Sequence, residues 1–85
     1  MNIDYAPSFN KRVTKLSRNL RERIASREDL FRNYPFHMSL KIHKLHGKMK
    51  DKWAFSINNR YRIMFEFVSE DTVRFLDIGT HDIYD

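Results

Sequence analysis

The sequence predicts an α+β fold, with an N-terminal helical hairpin packed on a small antiparallel β-sheet in a single domain covering residues 1–85. Two observations predict this class. Hydrophobic residues recur every three to four positions in the first part of the chain, and they alternate from residue 53 onward. Helices followed by strands are typical of α+β proteins. Because the chain has only 85 residues, 41% of them hydrophobic, it can bury one sheet and one helical layer, which excludes a two-domain enzyme.

The first elements are a short strand and two helices. Residues 3–6 alternate and are followed by Pro7, which suits a strand that leads into a helix start. One helix over residues 8–34 would be about 40 Å long, whereas a domain of this size is roughly 30 Å across. The sequence therefore predicts two helices joined by a corner. Their shared hydrophobic stripe is formed by Phe9, Val13, Leu16, Leu20 and Ile24.

The corner of this hairpin is predicted near residues 17–19. Asn19 and Glu22 have the spacing of a capping box, in which polar side chains satisfy the free N–H groups of a helix start. Pro35 ends the second helix, because the residue before a proline is biased away from helical geometry.

Three alternating runs predict the strands of the sheet, at residues 53–57, 61–68 and 73–78. The links between them, at 58–59 and 69–71, are too short for a crossover, so neighbouring strands should be antiparallel. One side of the second run is expected to receive the helices, and Arg62 then points to the opposite, helix-free face. The same parity sends Arg60 to the face of Arg62. The helix-facing side is formed by Tyr61, Ile63, Phe65 and Phe67.

Charge is unevenly distributed along the chain, although the net charge is only +5. Residues 35–62 carry seven Lys or Arg against Asp51 alone, whereas residues 63–85 carry Arg74 against six acidic residues. A basic segment of this kind favours a polyanionic partner, most often nucleic acid. The alternative is that these lysines are simply solvated and bind no partner.

Several kinds of chemistry are disfavoured by composition. The chain has no cysteine, which removes disulfides and thiolate sites, and its two glycines, Gly47 and Gly79, cannot form a glycine-rich phosphate loop. No apolar run approaches a membrane span and no signal-peptide pattern is present, so a cytoplasmic protein is expected. His43 and His46 lie three residues apart and could ligate a metal from a helix, but neighbouring lysines disfavour a cation. Acid and base catalysis on a phosphodiester suits these histidines better.

Arginines at the start of the second strand run suit phosphate chemistry. The guanidinium groups of Arg60 and Arg62 could contact phosphate in a bidentate manner and stabilise charge that develops on its oxygens. The alternative is that either arginine pairs with Glu66 or another acidic strand neighbour.

Taken in order, four segments of the chain resemble the RelE/ParE superfamily of type II toxins. The resemblance covers nearly the whole sequence. The chain is most similar to the RelE/StbE and YafQ-like toxins, which share the loop pattern L-K-x-H-x-L-x-G and the ending G-T-H. The segments here are Ser39 to Gly47, Trp53 to Ile57, Tyr61 to Glu66 and Gly79 to Asp82.

This resemblance implies a RelE-like microbial ribonuclease fold and a ribosome-dependent mRNA endonuclease that acts in the decoding A site without metal or other cofactor. In such enzymes the ribose 2′-hydroxyl attacks the adjacent phosphorus, so the protein supplies a base, charge stabilisation and an acid. His81 matches the C-terminal catalytic histidine, His43 the loop histidine, and Arg62 the arginine of the tyrosine-arginine strand motif. Tyr84 stands near the terminal aromatic position. The residues expected to bind RNA are Lys41, Lys44, His46, Lys48, Lys50, Lys52 and Arg60.

Two positions depart from the YafQ-like pattern and leave alternatives open. Ser56 and Arg60 stand where those toxins have a histidine and an aspartate, which implies a hybrid mechanism with charge stabilised by arginine and lysine, as in the RelE and YoeB branches. The ParE branch shares the fold but poisons DNA gyrase without nuclease chemistry, and a non-catalytic RNA-binding module is a further alternative. The partners implied are a cognate acidic antitoxin, the ribosome and mRNA, with no membrane. The free toxin is expected to be monomeric.

Overall fold

A computed structural model describes residues 1–80 and residue 83 of the chain. Five strands form one sheet in the order β1-β5-β4-β3-β2, and two helices precede the second strand. The predicted α+β class is confirmed. Short 3-10 turns lie at Met38–Leu40 and Gly47–Met49. The elements are β1 (Asn2–Tyr5), α1 (Pro7–Val13), α2 (Arg18–Asn33), β2 (His43–Lys44), β3 (Trp53–Ser56), β4 (Arg62–Ser69) and β5 (Thr72–Gly79).

The helical hairpin is confirmed, but its corner lies at residues 14–17, slightly before the predicted 17–19, and a different residue caps the second helix. Ser17 has extended backbone geometry, and its hydroxyl accepts the N–H of Leu20 at 3.2 Å. The predicted cap, Asn19, already lies inside α2. The helix ends at Asn33, directly before Tyr34 and the predicted proline stop. Within the described part of the chain, neither helix is long and apolar enough to cross a membrane.

The sheet is mixed, whereas the sequence predicts a purely antiparallel one. The pairs β2–β3, β3–β4 and β4–β5 are antiparallel, as predicted. The first strand pairs in parallel with the last, in a register that joins Asn2 to Thr72 and Tyr5 to Phe75. A parallel pair needs a long connection, and the chain between these two strands supplies it.

The helices cover one face of the sheet. Phe31 of α2 is fully buried and stacks on Phe55 at a ring-centroid distance of 4.7 Å. Ile63 and Phe65 are also fully buried on this face, as the strand alternation predicts, whereas Phe67 is 37% exposed because it lies toward the far end of β4. The position of the core fixes which side chains of β4 face away from the helices.

The helix-free face carries a second, smaller cluster. Leu45, Ala54 and Met64 are buried there, with Leu76 and Ile83 partly buried against them. The segment after β2 and the residue Ile83 beyond β5 therefore partly cover this face.

Candidate active site

Arg62 lies on the helix-free face, as predicted. It is the first residue of β4 and pairs with Ser56 of β3 on one side and with Gly79 of β5 on the other. Paired residues of neighbouring strands point to the same face, so these three positions form a row across the sheet.

The charge of Arg62 has no described counter-ion. Its Nη1 atom is enclosed and has no hydrogen-bond partner, and no ion pair joins it to any residue in the described ranges. Glu66, the alternative partner considered from the sequence, is bound instead to Lys52 at 2.9 Å and to Arg74 at 3.6 Å. No described residue therefore neutralises the positive charge of Arg62.

The end of β5 leads the chain onto the face of Arg62. A Cβ atom placed on Gly79 would stand 2.3 Å from the Cγ2 atom of Ile83, which packs against the small cluster on this face. The N–H of Ile83 also donates to the carbonyl of Thr80 at 3.1 Å. The predicted catalytic residues His81 and Tyr84 lie outside the described residues.

His43 occupies the edge strand β2 and not a helix. It pairs with Ala54 and so has the parity of the helix-free face, and its side chain is exposed. Its Nδ1 lies 3.0 Å from the carbonyl oxygen of Lys41. Because a carbonyl oxygen can only accept, Nδ1 must carry a proton, and Nε2 is left as the atom that can exchange a proton with a ligand.

The Cα atoms of His43 and Arg62 are roughly 12 Å apart, since they lie two strands and two residues from one another. The two side chains thus flank a common area on the helix-free face, with Ser56 between them. No group of three or more His, Asp or Glu side chains that could hold a metal occurs among residues 1–80 and 83.

The predicted RNA-binding lysines do not share one surface. Lys44 pairs with Trp53 and therefore points to the opposite side of the sheet from His43. The ammonium of Lys52 is bound by Asp51 and Glu66, and hydrogen bonds to Glu66 and then to Asp51 raise the pKa of Lys52. Lys52 is therefore less available to a phosphate than the sequence suggests.

Three other predicted RNA-binding residues are exposed in the segment that follows β2. His46 precedes the second 3-10 turn, Lys48 lies within it and Lys50 ends it. The described contacts of these side chains include no ion pair. They border the helix-free face without lying in the row of Arg62.

The prediction that Arg60 shares the face of Arg62 is wrong. Strand parity does not extend to Arg60, because β4 begins only at Arg62. Arg60 instead lines a cavity of about 370 Å³ beside α2, together with Leu20 and Arg23.

The sequence reasoning missed two arginines of α2 that approach the end of β3. Arg23 Nε donates to the carbonyl of Ile57 at 3.1 Å, and Arg27 Nε donates to the carbonyl of Ser56 at 3.4 Å. Lys41 lines the same pocket as these arginines. The one signal in the sequence was their spacing of four residues, which places both on one face of a helix.

Comparison with known proteins gives matches in structure but not in sequence. No protein-family model matches the chain, and no curated protein matches it significantly. YafQ from E. coli strain BL21(DE3) matches with a TM-score of 0.79 and 18% identity over 98% of this chain and 96% of that one. A YoeB/ParE toxin from Agrobacterium tumefaciens matches with a TM-score of 0.76 and 18% identity over 95% and 99%.

The E. coli DinJ-YafQ toxin-antitoxin complex also matches, with a TM-score of 0.76 and 19% identity over 96% of this chain and 93% of the matched chain. At such identities the comparisons establish the architecture. The resemblance seen in the sequence and the match in structure agree, and the chain has the fold of the RelE/YafQ-like toxins.

Proposed function

We propose that this protein is the toxin of a type II toxin–antitoxin pair and that it cleaves mRNA on the ribosome without a metal. The fold it shares with YafQ and with a YoeB/ParE toxin supports the toxin role. The arrangement on the helix-free face supports the nuclease chemistry. A ribosomal target places the activity in the cytoplasm.

The reaction requires three roles. A base removes the proton of the ribose 2′-hydroxyl, whose oxygen bonds to the adjacent phosphorus; an acid then protonates the 5′-oxygen as its bond to phosphorus breaks. His43 is suited to one of the proton transfers because its Nε2 is the free ring nitrogen. His81, two residues beyond Gly79, is proposed for the other, and Tyr84 for support of the terminal segment.

The observation that carries this proposal is that Arg62 has no counter-ion among the residues that the structure describes. A guanidinium without a described counter-ion, in a row between Ser56 and Gly79, is suited to stabilise the extra negative charge of a pentacoordinate phosphorus. Binding alone would be served equally well by exposed lysines. An enclosed guanidinium on the same face of the sheet as an orientated imidazole favours catalysis over simple RNA coating.

An acidic antitoxin is the proposed protein partner. The described chain exposes a basic segment and three large apolar side chains in its middle, Tyr34, Phe36 and Met38, each at least 65% exposed. An amphipathic acidic segment would match both features. A matched structure joins YafQ with DinJ in a toxin-antitoxin complex, which supports a protein partner.

The proposal is tested by cleavage on programmed ribosomes. The wild-type protein should cut the mRNA, and Arg62→Gln should cut it about 10²- to 10³-fold more slowly with an unchanged melting temperature. His43→Gln should lower the rate by about 10²-fold or more. Arg74→Gln is the matched control, because it removes the same charge from the neighbouring strand where Glu66 already pairs with it.

Two outcomes would contradict the proposal. Full activity of Arg62→Gln and His43→Gln would remove the assigned active site. Intact mRNA together with arrested replication in cells that express the protein would favour the ParE-like alternative. A short acidic reading frame next to this one would support either toxin, but not a general RNA-binding protein.

A further inference from the structure

A small pocket lies outside the proposed active site, where the first half of α2 approaches the end of β3. Its volume is about 180 Å³. It is lined by the side chains of Arg23 and Arg27, by Ser39 and Lys41 from the segment that follows α2, and by residues 56–59. No acidic residue is among them.

Backbone carbonyls hold the two guanidinium groups in place. Arg27 donates through Nη2 to the carbonyl of Ser39 at 2.6 Å, through Nη1 to its hydroxyl at 3.3 Å, and through Nε to the carbonyl of Ser56. Among the described residues, Arg23 donates only through Nε, to the carbonyl of Ile57. Both side chains are thus orientated, and the terminal nitrogens of Arg23 retain their donors for a ligand.

No described acidic residue compensates the positive charge of this pocket. Within the described ranges neither arginine takes part in an ion pair, although other arginines of the same helix do so. Burial, and then the nearby charge of Arg23, lowers the pKa of Arg27. Two like charges held together without a carboxylate favour binding of an anion, which would relieve their repulsion.

We propose that this pocket binds a phosphate of an RNA strand, as a subsite beside the one at which cleavage is proposed. This inference rests on the proposed function. Orientated guanidinium groups, a lysine and a serine hydroxyl suit a tetrahedral oxyanion with several acceptors. A single carboxylate would use fewer of these donors.

The position of the pocket connects it with the proposed active site. Ser56 accepts a hydrogen bond from Arg27 through its backbone, and the same residue pairs with Arg62 across the β3–β4 ladder. Arg27 and Arg62 therefore approach the end of β3 from opposite sides of the sheet. An RNA strand that passes around this end would place one phosphate at each arginine.

Binding of a fully 2′-O-methylated single-stranded oligoribonucleotide tests the inference, since this probe lacks the attacking hydroxyl and cannot be cleaved. Arg23→Gln should weaken its binding roughly 10- to 100-fold. The slope of log affinity against log salt should decrease by about 0.7 for the lost phosphate contact. Arg21→Gln is the matched control, because Arg21 is exposed and two residues away on the same helix, a spacing that does not share a face.

Arg27 also donates to backbone carbonyls, so Arg27→Gln could weaken binding by destabilising the fold, and its melting temperature must be measured as well. The conclusion therefore rests on Arg23→Gln. A titration with inorganic phosphate, followed by NMR through the Nε–H resonances of Arg23 and Arg27, shows whether the pocket binds free phosphate as well as a phosphate of RNA. A response to phosphate with unchanged RNA binding by Arg23→Gln would mean an adventitious ion only and would overturn the inference. Loss of antitoxin affinity alone would assign the pocket to the protein interface and would also overturn it.

Failure of this inference is distinguishable from failure of the proposed function. If Arg62→Gln abolishes cleavage while Arg23→Gln binds RNA like the wild type, the subsite is wrong and the nuclease stands. If the wild-type protein does not cleave mRNA but Arg23→Gln still weakens RNA binding, the subsite stands without the nuclease.

Discussion

The absence of a side chain at Gly79 determines where the chain goes after β5. Any Cβ at this position would collide with the Cγ2 methyl group of Ile83, which lies on the small apolar cluster of the helix-free face. Ile83 is two residues beyond His81 in the sequence, so its packing limits where the proposed catalytic histidine can be placed. The hydrogen atom of Gly79, where any other residue has a Cβ atom, therefore leaves the space that Ile83 occupies.

Gly79→Ala should therefore lower ribosomal cleavage by about 10²-fold, because displacement of Ile83 by an ångström or more misplaces the segment that carries His81. The melting temperature should fall only slightly, since the main core is on the other face of the sheet. Val68→Ala is the control for a general effect on the sheet, as Val68 lies at the far end of β4 and is 47% exposed. Equal rates for both variants would show that the contact between residues 79 and 83 is irrelevant to activity.

Individual site residues were predictable from the sequence only where strand parity applies. The alternation of β4 gives the correct face for Arg62, whereas Arg60 lies in the preceding turn, where parity has no meaning. The pairing of Lys52 with Glu66 depends on the register of β3 and β4, which single-strand patterns do not reveal. The spacing of Arg23 and Arg27 puts both on one face of α2, but it does not show that they reach the sheet.

The helices and strands were easier to predict than the contacts between them. Each long element repeats its hydrophobic period several times, so α2, β4 and β5 follow from the sequence. The two-residue strand β2 is too short to show a period. The four residues of β1 contain nothing that fixes their direction, because the parallel pairing results from the helical connection that follows.

The start of α2 offers a test of which residue caps it. Ser17→Ala should reduce the free energy of unfolding by about 1 kcal/mol, because the N–H of Leu20 loses its acceptor. Asn19→Ala should be neutral or slightly stabilising, since Asn19 lies within the helix, where alanine is favoured. Urea denaturation of both variants measures the difference, and a larger loss for Asn19→Ala would restore the capping box predicted from the sequence.

At the scale of the whole molecule, Tyr5 joins the first strand to α2. Its hydroxyl donates to Glu28, and its ring contacts Phe75 of the last strand edge-on at a centroid distance of 5.8 Å. Burial and, after it, the hydrogen bond to Glu28 raise the pKa of Tyr5 from 10.0 to about 12. The phenol of the folded protein therefore keeps its proton at a pH at which the unfolded chain loses it.

This difference makes stability depend on pH in the alkaline range. Because the folded pKa is the higher one, the contribution of Tyr5 is complete below pH 10 and is lost as the pH rises toward 12. The stability of the wild-type protein relative to Tyr5→Phe should therefore decrease between pH 9 and about pH 11.5, as measured by urea denaturation at each pH. A difference that stays constant over this range would contradict the assigned hydrogen bond.

The parallel pairing of the first strand with the last has a consequence for the timing of synthesis. Residues 2–5 are made about 70 residues before their partners at 72–75. Contacts so distant in sequence form late, and the core lacks the buried Val73, Phe75 and Ile78 until then. A protein proposed to attack ribosomes thus has no completed sheet until β5 has left the ribosome that makes it.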